Sequence, residues 1–140
     1  MGTNDLAREL RAQLLPGRHP LVAHLATALA AAREAGKVIV DGVFNDVKDL
    51  DGFRAECVQG WEMGFDGKTL IHPGQVDVAN DVWAPSDDDV AHARRVIDAF
   101  EEGLASGKGV VTVDGRMIEN LHVVNAQRVL ATAEAIANLA

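Results

Sequence analysis

KVIVDGVF, residues 37–44, is a short β-branched run with apolar side chains on both sides of its alternation, and KTLIHP, residues 68–73, is a second such run. A strand that buries both faces suits a parallel sheet covered by helices. Pro73 stops the second run, since proline cannot donate to a sheet ladder. Working outward, Pro20 to Gly36 has a helical, Ala-rich pattern with Gly36 as its C-terminal stop. Asp49 to Gly64 returns to helical spacing, with Phe53, Cys57, Trp61 and Gly64 along one face and Cys57 and Trp61 read as core. A short helix is predicted from Gln75 to Val82. Ser86 with Asp89 forms a capping box that opens a helix to about Ser106. Ala84-Pro85 marks a change of layer. GKGVVTVDGRMIE is two alternating runs joined by Asp114-Gly115, a strong hairpin signal. Asn120 to Ala140 closes the chain as an amphipathic helix. At the other end, in MGTNDLAREL, Thr3, Asn4 and Asp5 read as the polar end of a strand that turns into a helix over Leu6 to Leu10.

Alternating helices and strands at this spacing predict an α/β fold built of βα units around a parallel sheet. Two full strands and a stub are too few for a doubly wound sheet. They are also too few for a closed eight-stranded barrel, which takes roughly 250 residues. The chain reads as part of a larger architecture, with residues 1–84 as the sheet-bearing segment and 85–140 as a helix-hairpin-helix extension.

Composition narrows the function. A chain of 140 residues is long enough for a real core. Its formal net charge of −8 disfavours a nucleic-acid or anionic-membrane surface, because phosphate binding needs clustered Lys and Arg. No window approaches a membrane span, and LVAHLATALAAA lacks the basic leader of a signal peptide. A cytoplasmic location is expected. The single cysteine, Cys57, excludes a disulfide framework and a paired-cysteine metal site.

Several carboxylates and one histidine stand where chemistry is common. Asp5 at a strand end suits a ligand, and its plainer reading is a cap for the helix that follows. His72 ends a strand, and His72-Pro73 also serves simply to stop it. Asp114 suits a tight hairpin. Asp87, Asp88 and Asp89 fall in a helix's first turn, where exposed N–H groups favour negative charge. Asp41, Asp46 and Lys48 are possible supporting residues near a site. Gly67 to Thr69 is not a phosphate-binding loop, because the upstream glycine spacing is missing.

These same stretches carry a resemblance. GTNDLAREL, VDGVFNDVKDLDGFRAEC, GFDGKTLIHPGQ, APSDDDVAHARRVIDAFEE and VDGRMIENLHV occur in the order and spacing of the C-terminal half of the citrate lyase beta-subunit and malyl-CoA lyase family. The match spans essentially the whole chain, and the TNDLA form is more similar to the malyl-CoA type. The resemblance implies strands six to eight of a (βα)8 TIM barrel followed by a helical extension. It further implies Mg²⁺ dependence and a carbon–carbon lyase acting on a 3-hydroxyacyl-CoA and its 2-oxo acid product. Asp5 matches the family's Mg²⁺ ligand, with the partner Glu and the substrate-holding Arg expected upstream of Met1. Truncation or a misassigned start is therefore expected.

Contacts with the acyl-CoA are implied for Asn4, Asp5, Ile71, His72 and Pro73. Asp114 matches a candidate acid/base group that reaches a neighbouring subunit, which implies a homo-oligomer, trimer or hexamer, assembled through the extension. A thioesterase using the same metal and a water nucleophile is the alternative. A non-catalytic fragment or assembly module is the alternative of another class.

Overall fold

The computed structural model describes residues 1–107 and 110–139. Lys108, Gly109 and Ala140, which the sequence reading assigned to the hairpin approach and the last helix, lie outside the described residues. The chain divides into two compact units, Met1–Trp83 and Ala84–Ala140.

In the first unit, helix α1 spans Thr3–Leu10, α2 Val22–Glu34, α3 Leu50–Met63 and α4 Val76–Trp83, with 3-10 turns at Pro16–Arg18 and Pro73–Gln75. The helix ends follow local chemistry. Asp49 caps α3 by accepting from the Gly52 amide, and Gly64 ends it at φ +102, a left-handed geometry that glycine takes without penalty.

Between the helices, residues 37–44 and 66–70 run side by side in the parallel sense. The Asp41 amide donates to the Gly67 carbonyl at 2.8 Å, and the Thr69 amide donates to the Asp41 carbonyl at 3.0 Å. The expected pair of fully buried strands is not formed: the contact is a single parallel bridge between Asp41 and Lys68. The two faces of the 37–44 segment also differ in burial. Ile39 and Asp41 share one face and turn inward, whereas Val38 and Val40 share the other face and are 79% and 39% exposed.

Ala7, Leu21, Leu25 and Phe65 form one buried cluster, with Ile39 packed against it; Phe53, Cys57 and Ala79 form a second. Complete burial of Leu21, Leu25 and Phe53 stabilises by about 1.5–3 kcal/mol apiece. Trp61 is not core as expected but 54% exposed. At roughly 100° per residue it lies about 80° from Phe53, while Gly60 returns to the buried face.

Gly42 touches the buried Thr3 so closely that a Cβ there would overlap the Thr3 side chain. We expect Gly42→Ala to destabilise by about 1–3 kcal/mol through overpacking. Chemical denaturation checks this, and an unchanged midpoint would show that α1 can shift to make room.

The second unit holds α5, Asp87–Ala105, the hairpin strands β1, Val111–Val113, and β2, Arg116–Ile118, and α6, Asn120–Ala137. The predicted capping box is present: Ser86 Oγ accepts from the Asp89 amide, and the Ser86 amide donates to the Asp89 carboxylate. In the hairpin Val111 pairs with Ile118, Thr112 with Met117 and Val113 with Arg116. Asp114 and Gly115 have φ of +52 and +76, as the mirror-image two-residue turn requires. Val113 and Ile118 join Ala93 and Val96 of α5 and Val123 and Ala126 of α6 in one core. No helix among the described residues is long and apolar enough to cross a membrane.

Candidate functional site

The N-terminal motif is not a strand end. Thr3, Asn4 and Asp5 form the first turn of α1, and Gly2, not Asp5, occupies the cap position. Thr3 turns inward while Asp5 stays exposed, its carboxylate 3.7 Å from the Arg8 guanidinium. A short polar run followed by Leu and Ala suits a helical first turn as well as a strand terminus, which is why alternation alone misassigned it. The Asn4 side-chain amide exchanges two 2.9 Å hydrogen bonds with that of Asn45, tying α1 to the end of the 37–44 segment.

Magnesium takes one or two carboxylates together with waters and substrate oxygens. Asp5 can supply one. Among the described residues, no group of three or more His, Cys, Asp or Glu gathers as a metal centre. The side chains of this chain therefore do not by themselves complete a magnesium site.

Ile71, His72 and Pro73 sit together at an exposed bend. His72 Nδ1 accepts from the Gly74 amide at 3.0 Å, and Pro73 opens a 3-10 turn that ends at Gln75, so that α4 begins one residue after the expected Gln75. The fully buried Gln75 holds this bend: its Oε1 accepts from the Ile71 amide at 3.1 Å, and its Nε2 donates to the Phe44 carbonyl at 3.1 Å. Gln75 was not singled out from sequence. No local pattern marks it, because the Phe44 carbonyl it serves lies 31 residues away in the sequence.

Beneath these segments lies a buried ionic cluster. Arg18 Nη1 donates to both Asp41 oxygens at 2.7 Å, and Lys68 Nζ lies 3.0 Å from Asp41 Oδ2 and 2.7 Å from Glu56 Oε1. Gln59 accepts from Arg18 Nε at 2.8 Å. Burial pushes the Asp41 carboxyl up, but Lys68 and Arg18 outweigh it and hold the group below its usual range. Burial raises the neighbouring Cys57 thiol to about 11, so it is a packing residue and not a nucleophile.

Asp41 is thus a structural anion. Asp46 accepts from the Lys48 amide in a local turn, and Lys48 is exposed. Arg18, Glu56 and Lys68 went unrecognised because they come from distant parts of the sequence. A cavity of about 400 Å³ opens beside this cluster, with Asn4, Arg18, Phe44, Asn45 and Glu56 in its wall.

In the second unit Asp114 projects from the hairpin tip. Its Oδ2 lies 3.2 Å from His92 Nδ1 and accepts from Arg95 Nη2 at 3.3 Å. The Arg95 guanidinium holds the Asp114 carboxyl below its usual range against the opposing effect of desolvation, and His92 adds to the lowering. A cavity of about 210 Å³ adjoins the pair, with His92, Arg116, His122 and Asn125 at its polar side and Val96 and Ile118 at its apolar side. The structure thus brings Ile71, His72 and Pro73 together and joins Asn4 to the 37–44 segment, while Asp114 belongs to the second unit.

Residues 1–73 match the HpcH/HpaI aldolase/citrate lyase family, and the chain belongs to that family. Among individual proteins, it is 56% identical over 137 residues to the (3S)-malyl-CoA thioesterase of Cereibacter sphaeroides, a match over 98% of this chain and 48% of that one. It is 37% identical over 134 residues to citrate lyase subunit beta of Escherichia coli, over 96% of this chain and 44% of that one. The chain spans about half the length of the curated relatives it matches. In structure it resembles CitE from Mycobacterium tuberculosis, solved in complex with magnesium, acetoacetate and coenzyme A. The TM-score is 0.73 at 28% identity, covering 95% of this chain and 50% of the other.

Proposed function

We propose that this chain is the C-terminal part of an enzyme that hydrolyses a malyl-CoA-type thioester. The observation that carries this reading is the 56% identity, along 98% of the chain, to relatives named as (3S)-malyl-CoA thioesterases. The lyase reading drawn from the motifs has support at the level of the family and of the more distant citrate lyase beta subunits. The identity therefore favours hydrolysis over carbon–carbon cleavage for this chain.

The proposed architecture keeps residues 1–84 as the last three βα units of a TIM barrel and 85–140 as the extension. The parallel contact of 37–44 with 66–70, with α3 between them, supports this assignment. Asp5 is proposed as one of several Mg²⁺ ligands, a metal that would act as a Lewis acid on the substrate's oxygens when bound. Asn4 and the Ile71-His72-Pro73 bend are proposed to border the acyl-CoA. Asp114 is proposed to serve a neighbouring subunit's site in a homo-oligomer.

In the proposed reaction water attacks the thioester carbonyl carbon while Asp114 takes a proton from it. The carbon–sulfur bond breaks, and the coenzyme A sulfur takes the proton back from Asp114 to leave as its thiol. Malyl-CoA and water thus give malate and free coenzyme A. An ionised, exposed carboxylate can make that proton transfer, whereas Asp41, saturated by Arg18 and Lys68, cannot.

The test joins the N-terminal half of the Cereibacter sphaeroides relative to this chain and supplies malyl-CoA. Malate with free coenzyme A is the expected product pair. Acetyl-CoA with glyoxylate would instead establish the lyase reaction.

A further inference from the structure

We infer that Arg95 and His92 are positioning residues for Asp114, gripping one carboxylate oxygen and leaving the other as the proton-accepting atom. This rests on the proposed acid/base role of Asp114 and adds what aims it. His92 and Arg95 lie three residues apart on α5, so both side chains leave the same helix face. Both reach Oδ2. Among the described residues no hydrogen bond reaches Oδ1.

The carboxylate is also fixed from below. Asp114 sits in a two-residue turn with left-handed backbone, and Val113 anchors the turn in the core that α5 helps to form. Arginine only donates, so Arg95 cannot give way to a proton on Asp114 by switching roles. His92 Nδ1 also lies 3.5 Å from Arg95 Nη2, and it donates to Asp114 in the tautomer that carries the ring proton at Nδ1.

The remaining charged groups around the tip are few. Asp89 lies one turn before His92 on α5, but its carboxylate is engaged by Ser86. Arg116 of β2 and His122 of α6 border the adjoining cavity. The balance around Asp114 is cationic, in keeping with its lowered carboxyl. Exposed ion pairs add little to stability, so holding the fold does not account for two donors converging on one oxygen at a hairpin tip. Aiming a base does.

The experiment follows the Asp114 carboxyl resonance by NMR against pH in the 140-residue chain and in its R95Q, R95K and H92Q variants. Because all of these side chains are exposed, the variants should keep the fold, which the remaining amide spectrum checks. The titration midpoint should rise in R95Q, rise less in H92Q, and return towards the parent value in R95K.

In the joined enzyme, R95Q should move the acidic limb of kcat/KM upward. Turnover at that end should fall by up to about fivefold, the scale of an exposed pair. An Asp114 midpoint unmoved by both R95Q and H92Q overturns the inference. So does an H92Q enzyme that is inactive at every pH with the Asp114 midpoint unchanged, since His92 would then be the base itself. A fully active D114N enzyme would instead remove the catalytic role beneath it, while the NMR midpoints still report whether the grip exists.

Discussion

Asp41→Asn should cost about 3–5 kcal/mol of folding stability, the scale for breaking a buried ion pair from one side. Asp41 and the Lys68 side chain are fully buried, Arg18 is 3% exposed and Glu56 is 15% exposed. The cluster holds two cations and two carboxylates and is neutral as it stands. Removing the Asp41 charge leaves Arg18 and Lys68 facing Glu56 alone, out of water. Asp41→Asn combined with Lys68→Met restores neutrality through Arg18 and Glu56, so the double variant should lose less than the single one. Urea denaturation of the parent, the Asp41→Asn and Lys68→Met single variants and the double variant checks this, and a double variant as weak as the sum of both singles would show that charge balance is not the cause.

The pH dependence follows from the lowered Asp41 carboxyl. Its stabilisation is complete above the ordinary carboxylate range of about 3.9 and is lost as pH falls through the folded-state value. The gap between parent and Asp41→Asn should therefore narrow in acid.

Asp114→Asn should lower turnover of the joined enzyme by roughly 10²-fold or more, the usual scale for loss of a general acid/base. Asparagine preserves the hairpin, because Asn-Gly suits the same turn as Asp-Gly. The hairpin core of Val113 and Ile118 is untouched, so thermal stability should barely change. If subunits share sites, mixing Asp114→Asn with Asp5→Asn proteins should recover activity, since one interface then pairs two intact carboxylates. Full activity of Asp114→Asn would reduce the residue to a turn former. Failure of the mixture despite confirmed subunit exchange would end the shared-site proposal.

The parts of the fold that sequence made legible are those written locally. Ser86 with Asp89 set the start of α5, Gly64 set the end of α3, and Asp114-Gly115 set the hairpin. Each needs residues only a few positions apart. The apolar runs at 37–44 and 68–73 were expected as buried strands; only Asp41 and Lys68 form a bridge, and the chain bends away at Ile71 to Pro73. The first turn of α1 was misassigned because Thr-Asn-Asp carries no apolar period.

The candidate site divides in the same way. Asp114 could be marked from its turn and its motif, but the grip of Arg95 and His92 could not, since it depends on how α5 packs beneath the hairpin. The buried cluster was the least legible. Arg18 and Lys68 look like ordinary surface cations until the chain brings both to the carboxylate of Asp41, 23 and 27 residues away.

That cluster bears on how the chain finds its alignment. Successive side chains of an extended segment point to opposite faces, so sliding 66–70 by one residue against 37–44 would turn Lys68 away from Asp41. With so short a ladder, backbone hydrogen bonds discriminate poorly between the native alignment and its neighbours. A slipped pairing would strand the Asp41 carboxylate without Lys68 in a water-free interior. The quartet therefore works as a register lock: misaligned states are penalised by unpaired buried charge, and the native alignment is selected chiefly by the instability of its competitors.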